Sequence, residues 1–138
     1  IGGFLAAVAA ASVAAWVITR VSGPFESVAG QLALQQHGVV LWVFAAATVL
    51  LAPVCEEIAF RGLLYGALEK RGMGDVPIVF VSAALFAAYH VEPTRFPLLF
   101  ALGLALGEVR RRTGSTGAAI MTHVGINFLP AVAMVVGR

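Results

Sequence analysis

The fold class this 138-residue sequence predicts is all-α, a multi-pass transmembrane bundle of about six helices. Three observations carry that prediction. Hydrophobic residues make up 60% of the chain and charged residues only 12%, and mean hydropathy reaches +0.94, far above a soluble domain. Charge-free runs cover 1–19, 38–55 and 113–137, with shorter ones at 76–91 and 96–107; a run of ~18 apolar residues marks a spanning helix. Glycine, proline and charge clusters separate the runs. A water-soluble core of this size cannot hide so much apolar surface, so the bilayer is the expected solvent and the cell membrane the expected location.

The elements follow in order. A first helix over 3–20 ends at Arg20, before Ser22-Gly23-Pro24. Its run has neither a basic leader nor a cleavage site, so it reads as a span rather than a signal peptide. Ile1 in place of Met points to a domain cut from a longer chain. Residues 27–36 are mildly polar and interfacial, which groups 1–36 as a leading span plus surface segment and 37–138 as the core. A second span, 38–52, stops or kinks at Pro53, because proline lacks a donor and crowds the turn before it. The third, 54–70, ends in EKRGMGD. The fourth, 76–91, is closed by Glu92-Pro93-Thr94; the fifth, 96–112, ends in Arg110–Arg112; the sixth, 117–136, follows TGSTG.

Charge placement gives an orientation. Lys70-Arg71 and Arg110–Arg112 bracket a helical hairpin and belong on one face, the cytoplasmic one by the excess of cations there. Arg95, at the opposite turn, runs against that assignment. Gly103 with Gly107, and Gly62 with Gly66, have the spacing that lets helices approach closely. A net charge of +2 suits a membrane surface and is too small for nucleic acid binding. The one cysteine, Cys55, excludes an internal disulfide and a multi-cysteine metal site; it reads as a small buried side chain rather than a nucleophile, since nothing around it would favour a thiolate.

Polar residues inside the apolar runs are few: Glu56, Glu57, Arg61, His90, Glu108, His123 and Asn127. Each charge in hydrocarbon costs about 2.5 kcal/mol or more at a helix centre, so such residues are retained for a reason. Glu57 and Arg61 are four apart, with the acid first, the favoured order for a helical ion pair. Glu56 points about 100° away by helical period, leaving one carboxylate free beside one held. Glu108 can pair with Arg112 near the interface, and His37 sits at a helix entrance.

Depth estimates test whether the others can meet. At ~1.5 Å per residue, Glu56 lies ~21 Å from the Lys70 end of its helix and His90 a similar ~21 Å from Val76. From Gly117, His123 is ~9 Å and Asn127 ~15 Å along. Glu56 and His90 therefore share a level that Asn127 can reach, with His123 the looser fit. Phe60 and Phe86 are the aromatics placed to line such a site.

Glu, two His and Asn permit two chemistries. A carboxylate withdrawn from water becomes a stronger base toward a water molecule. Imidazole can position that water, and N–H donors can stabilise an oxyanion. The product is an amide hydrolase with no protein nucleophile. The same set could instead hold a divalent metal such as zinc through Glu56, His90 and His123, with water as fourth ligand. The residues alone leave both versions open.

Three motifs carry a family resemblance: Glu56-Glu57-Ile-Ala-Phe-Arg61, Phe86-Ala-Ala-Tyr-His90 and His123-Val-Gly-Ile-Asn127. They match EExxxR, FxxxH and HxxxN in order, with a glycine-rich approach to the third. The sequence resembles the CPBP intramembrane proteases, which include the type II CAAX prenyl endopeptidases and the bacterial Abi and bacteriocin-processing proteins. The resemblance covers roughly 50–130. It implies Glu56 as the base on water, His90 as its partner in holding that water, Glu57 and Arg61 as ordering groups, and His123 with Asn127 at the oxyanion. Within the resemblance the metal-free version is preferred, because Asn127 serves better as a donor than as a ligand. The partners it implies are a protein or peptide substrate and the lipid bilayer. Two rivals are an ion- or proton-coupled transporter, which lacks matching broken helices here, and a catalytically inactive scaffold or immunity protein.

Overall fold

The computed structural model describes residues 28–136, and no strand occurs among them. The helix expected over 3–20 lies outside the described residues. Within them run α1 (Val28–Leu34), α2 (Gly38–Lys70), α3 (Asp75–Tyr89), α4 (Phe96–Thr113) and α5 (Thr116–Val136), with a 3₁₀ turn at Pro93–Arg95.

The main departure from expectation is α2. The two spans expected on either side of Pro53 form one helix of 33 residues. It contains two π-helical stretches, Ala47–Leu51 and Ile58–Leu64. Pro53 is accommodated because the turn before it is in π register: the Ala52 N–H already reaches back five residues to the Ala47 carbonyl. The next bond in that register would join residue 53 to the Thr48 carbonyl, and proline has no N–H to give. The Asn127 side chain supplies it instead, Nδ2 donating to the Thr48 oxygen at 3.2 Å. A missing backbone donor on one helix is thus made good by an amide on another.

The second π stretch is served in the same way. Carbonyls of this stretch accept from side chains outside the helix, and three helices provide the donors. Ser82 Oγ of α3 donates to the Phe60 carbonyl at 3.4 Å. Arg110 Nε of α4 and Thr116 Oγ1 of α5 both donate to the Arg61 carbonyl, at 3.1 and 3.3 Å. π stretches of this kind recur where a helix carries a site, and here the irregular backbone is buried among protein donors rather than left to lipid.

α2 is long and apolar enough to cross a membrane, with mean hydropathy 2.3 over its best window. Only 22% of that window is buried, unlike the core helix of a soluble domain. Val39, Trp42, Val43 and Leu63 all face outward. α3 has 15 residues, about 22 Å of helix at ~1.5 Å per residue, against a hydrocarbon core of ~30 Å.

α3 and α4 form the tightest pair. A Cβ on Gly103 would stand 2.8 Å from Ala83 Cα, and one on Gly107 would stand 3.0 Å from a Val79 methyl. These glycines let the backbones touch, as their spacing predicts. Gly62 and Gly66 do not repeat this: a Cβ on Gly62 would meet only ordinary contacts, and one on Gly66 would meet nothing within 4 Å. Apolar packing gathers at two levels, Tyr65 with Ile78 and Val79, and Phe86 with Ala87 and Leu99. α4 ends on Gly114, whose φ of +65° suits the left-handed cap glycine adopts without strain. Beyond the apolar part of α4, Glu108 accepts from Arg111 as well as the expected Arg112.

Candidate active site

The site is built around a buried ion pair on α2. Glu57 and Arg61 are both fully buried, with Nη1 donating to Oε1 at 2.9 Å. Arg61 is fixed further by Nη2 donating to the Gly103 carbonyl at 2.8 Å, and its guanidinium lies 4.8 Å above the Phe86 ring. A carboxylate oxygen already accepting from arginine can only accept again. His123 Nδ1, 2.9 Å from the same Oε1, is therefore the protonated ring nitrogen, and its Nε2 is turned toward Glu56 at 3.8 Å.

His90 is set by the same logic from a different partner. It follows the last residue of α3, and its Nδ1 lies 2.8 Å from the Phe86 carbonyl. A carbonyl has no proton to give, so Nδ1–H donates and Nε2 carries the lone pair. That Nε2 lies 4.0 Å from Glu56 Oε1. Glu56, adjacent to the buried Glu57, points the other way into a cavity of roughly 690 Å³. The cavity is lined by Glu56, His90, His123, Asn127 and Phe86, with an apolar wall that includes Phe44, Leu99 and Leu102.

The structure thus brings Glu56, His90 and His123 together, with Asn127 on the same cavity wall. The ranking by depth is corrected in one respect. His123, the looser fit by helix rise, is the imidazole bonded to Glu57, while Asn127 spends one amide proton on the Thr48 carbonyl. Phe86 lines the cavity as expected, 4.8 Å from the His90 ring, and Phe60 packs behind it. Cys55 is exposed rather than buried, on a face of α2 turned from the cavity. His37 caps α2 with no side-chain bond.

Other contributors escaped the sequence reading. Ser82, Thr116 and the Gly103 carbonyl carry no charge and look like any packing residue in an apolar run. Pro53 and Asn127 could have been linked, since a proline inside a span predicts an orphan carbonyl nearby. Glu92 and Arg95 also line the cavity; the signal for them was the cation that opposed the charge-based orientation.

As a zinc site the arrangement fits poorly. Donors sharing one tetrahedral ion at ~2.1 Å stand about 3.4 Å apart, and the ring nitrogens are 3.8 and 4.0 Å from Glu56. No cluster of three or more His, Cys, Asp or Glu placed to hold an ion occurs among the described residues. What the geometry can do is hold one water between a carboxylate and a lone-pair nitrogen, beside an imidazole backed by a buried acid.

Residues 38–129 match the profile of the type II CAAX prenyl endopeptidase Rce1-like family. The chain belongs to that family. The match spans Glu56 through Asn127 and begins with the first residue of α2. No curated protein and no solved structure matches the chain. Membership in the Rce1-like family makes the protein a membrane protease of the CAAX type, with a peptide as its substrate.

Proposed function

We propose that the protein is a multi-pass intramembrane endopeptidase that cleaves a peptide bond with a water activated by Glu56 and without a metal. The observation that supports this reading above all is the convergence of Glu56, His90 and His123 within 4.0 Å on one cavity. The core, 37–138, would hold the site, and the leading segment, 1–36, would add a further span to a bundle in the cell membrane. The apolar outward face of α2 agrees with that setting.

In the proposed reaction His90 Nε2 accepts one proton of the water in a hydrogen bond, and Glu56 removes the other as oxygen attacks the scissile carbonyl. The C–O bond forms as the carbonyl π pair moves to oxygen. The second amide N–H of Asn127 and the His123 ring, when it carries both protons, stabilise that oxyanion. Glu57 holds Nδ1 of His123 and balances its charge, the part a buried acid plays behind a catalytic histidine. Glu56 then passes its proton to the departing amine as the C–N bond breaks. Arg61 holds Glu57 in place, and touches no substrate.

The test is cleavage of a peptide library by the detergent-purified protein and its Glu56→Ala, His90→Ala and His123→Ala variants. Loss of turnover by roughly 10²–10⁴-fold in variants that still unfold cooperatively is expected, the range general-base catalysis supplies. Equal cleavage by all four would refute the reading.

A further inference from the structure

Two prolines lie inside helices beyond the first turn among the described residues, Pro53 in α2 and Pro130 in α5. Each strips a carbonyl of its helical donor. For Pro53 the loss is made good, because Asn127 donates to the Thr48 oxygen. For Pro130 it is not. α5 keeps α register from Thr116 to Val136, so the carbonyl that Pro130 fails to serve is that of Ile126, four residues back. No side chain among the described residues donates to it; the polar side chains of α5 bond to Arg61, Ala118, Glu57 and Thr48 instead.

The proline also sets where that oxygen faces. A helical carbonyl points along the axis at the residue four ahead, and a proline ring there crowds it outward. Pro130 is exposed and lines the cavity that holds Glu56, with Asn127 and Ala131 on the same wall. The Ile126 oxygen therefore sits at the edge of that wall, next to the residue whose amide serves the oxyanion. Around it the cavity is largely apolar, through Phe44, Leu99 and Leu102. A peptide entering such a cavity brings one N–H per residue, and each N–H left without an acceptor is costly.

We infer that the Ile126 carbonyl is a substrate-binding acceptor that takes the N–H of one residue flanking the scissile bond. The inference rests on the proteolytic reading and deepens it, since it makes the enzyme specific for an unalkylated amide at one position of the peptide, whatever the side chain there. Pro130 is the positioning residue: it withholds the donor that would otherwise close the helix on this oxygen.

The test separates binding from turnover. The fluorescein-labelled library peptide that detergent-purified Glu56→Gln protein binds most tightly is remade as a set, each member carrying one backbone N-methyl group. Binding to the same protein is read by anisotropy, which requires no cleavage. Methylation at one position should weaken binding about 10- to 100-fold, the effect of leaving a buried acceptor unpaired. Adding Pro130→Ala returns a helical N–H to Ile126. It should weaken the parent peptide by a similar factor, yet take nothing further from the peptide methylated at the sensitive position. The other methylated peptides should fall in step with the parent. Pro130→Ala should also raise the unfolding midpoint, and Pro130→Gly, which returns the same N–H, should repeat the binding pattern. In the cleavage-competent protein the Pro130→Ala loss should appear in KM rather than kcat. The inference is overturned by a methyl scan with no sensitive position, by losses from methylation and from Pro130→Ala that simply multiply, by Pro130→Ala binding that equals the parent protein's, or by no binding of any library peptide. Failure of the proteolytic reading would look different: the coupling present in binding, with no cleavage by the wild type.

Discussion

His123 Nδ1 and Glu57 Oε1 lie 2.9 Å apart in the interior, on helices α5 and α2, and the oxygen they share is the one Arg61 also grips. One acid therefore fixes both a cation and an imidazole tautomer. Removing its charge should damage fold and chemistry together. Glu57→Gln leaves Arg61 buried without a counter-charge and should cost about 3–5 kcal/mol, read as a lower unfolding midpoint in detergent. Its residual turnover should fall as well, because His123 loses the group that orients it.

Asn127 joins two roles that mutation can part. Asn127→Ala strips the donor from the Thr48 carbonyl and should cost about 1–3 kcal/mol as an unsatisfied buried acceptor. Pro53→Ala returns a backbone N–H to that carbonyl. The double variant should recover most of the stability and none of the turnover lost with the amide. Recovery of both would reduce Asn127 to a structural cap.

The two glycine pairs predict opposite outcomes. Gly103→Ala forces a methyl to within 2.8 Å of the Ala83 backbone and moves the carbonyl that holds Arg61. Overpacking of that kind costs about 1–3 kcal/mol, and turnover should drop with it. Gly66→Ala meets open space and should be neutral or stabilising by up to about 1 kcal/mol through helix propensity. Paired thermal unfolding curves compare them directly.

Backbone strain beside the site gives a separate test. Val91, the residue after His90, has φ +52° and is 84% exposed. A β-branched residue in that left-handed conformation costs about 1–2 kcal/mol, partly offset in Val91→Gly by the ~0.5–1 kcal/mol of chain entropy glycine brings. A net gain under about 1.5 kcal/mol is expected, seen as a small rise in the unfolding midpoint.

Metal removal is the simplest measurement. Cleavage by protein treated with a chelator and shown by elemental analysis to hold no zinc should equal that of untreated protein. Activity that disappears and returns with added zinc would reverse the metal-free assignment.

How much of this was legible in the sequence differs from residue to residue. The helical class followed from apolar composition, and the pairing of Glu57 with Arg61 followed from their spacing. Both are local properties. Pro53 was misjudged because the usual penalty assumes an α register with no outside help, whereas here a π turn and an amide 74 residues away absorb it. The order of His123 and Asn127 was misjudged because rise along a helix gives depth alone, and it is the side-chain partners, Glu57 for one and the Thr48 carbonyl for the other, that set them apart. Arg95 registered only as an exception to a charge rule. Its bond to Glu92 and its place on the cavity wall are relations that no linear pattern displays.

The central claim is that the carboxylate of Glu56 is the base. Glu56→Gln keeps the shape of the side chain and removes only its ability to take a proton. The most direct measurement is single-turnover cleavage, by wild type and by Glu56→Gln, of a peptide that the wild type cleaves in the library, at matched folding by thermal unfolding. A fall of roughly 10²–10⁴-fold in rate with peptide binding retained is the predicted result. A Glu56→Gln protein that cleaves within tenfold of wild type would contradict it.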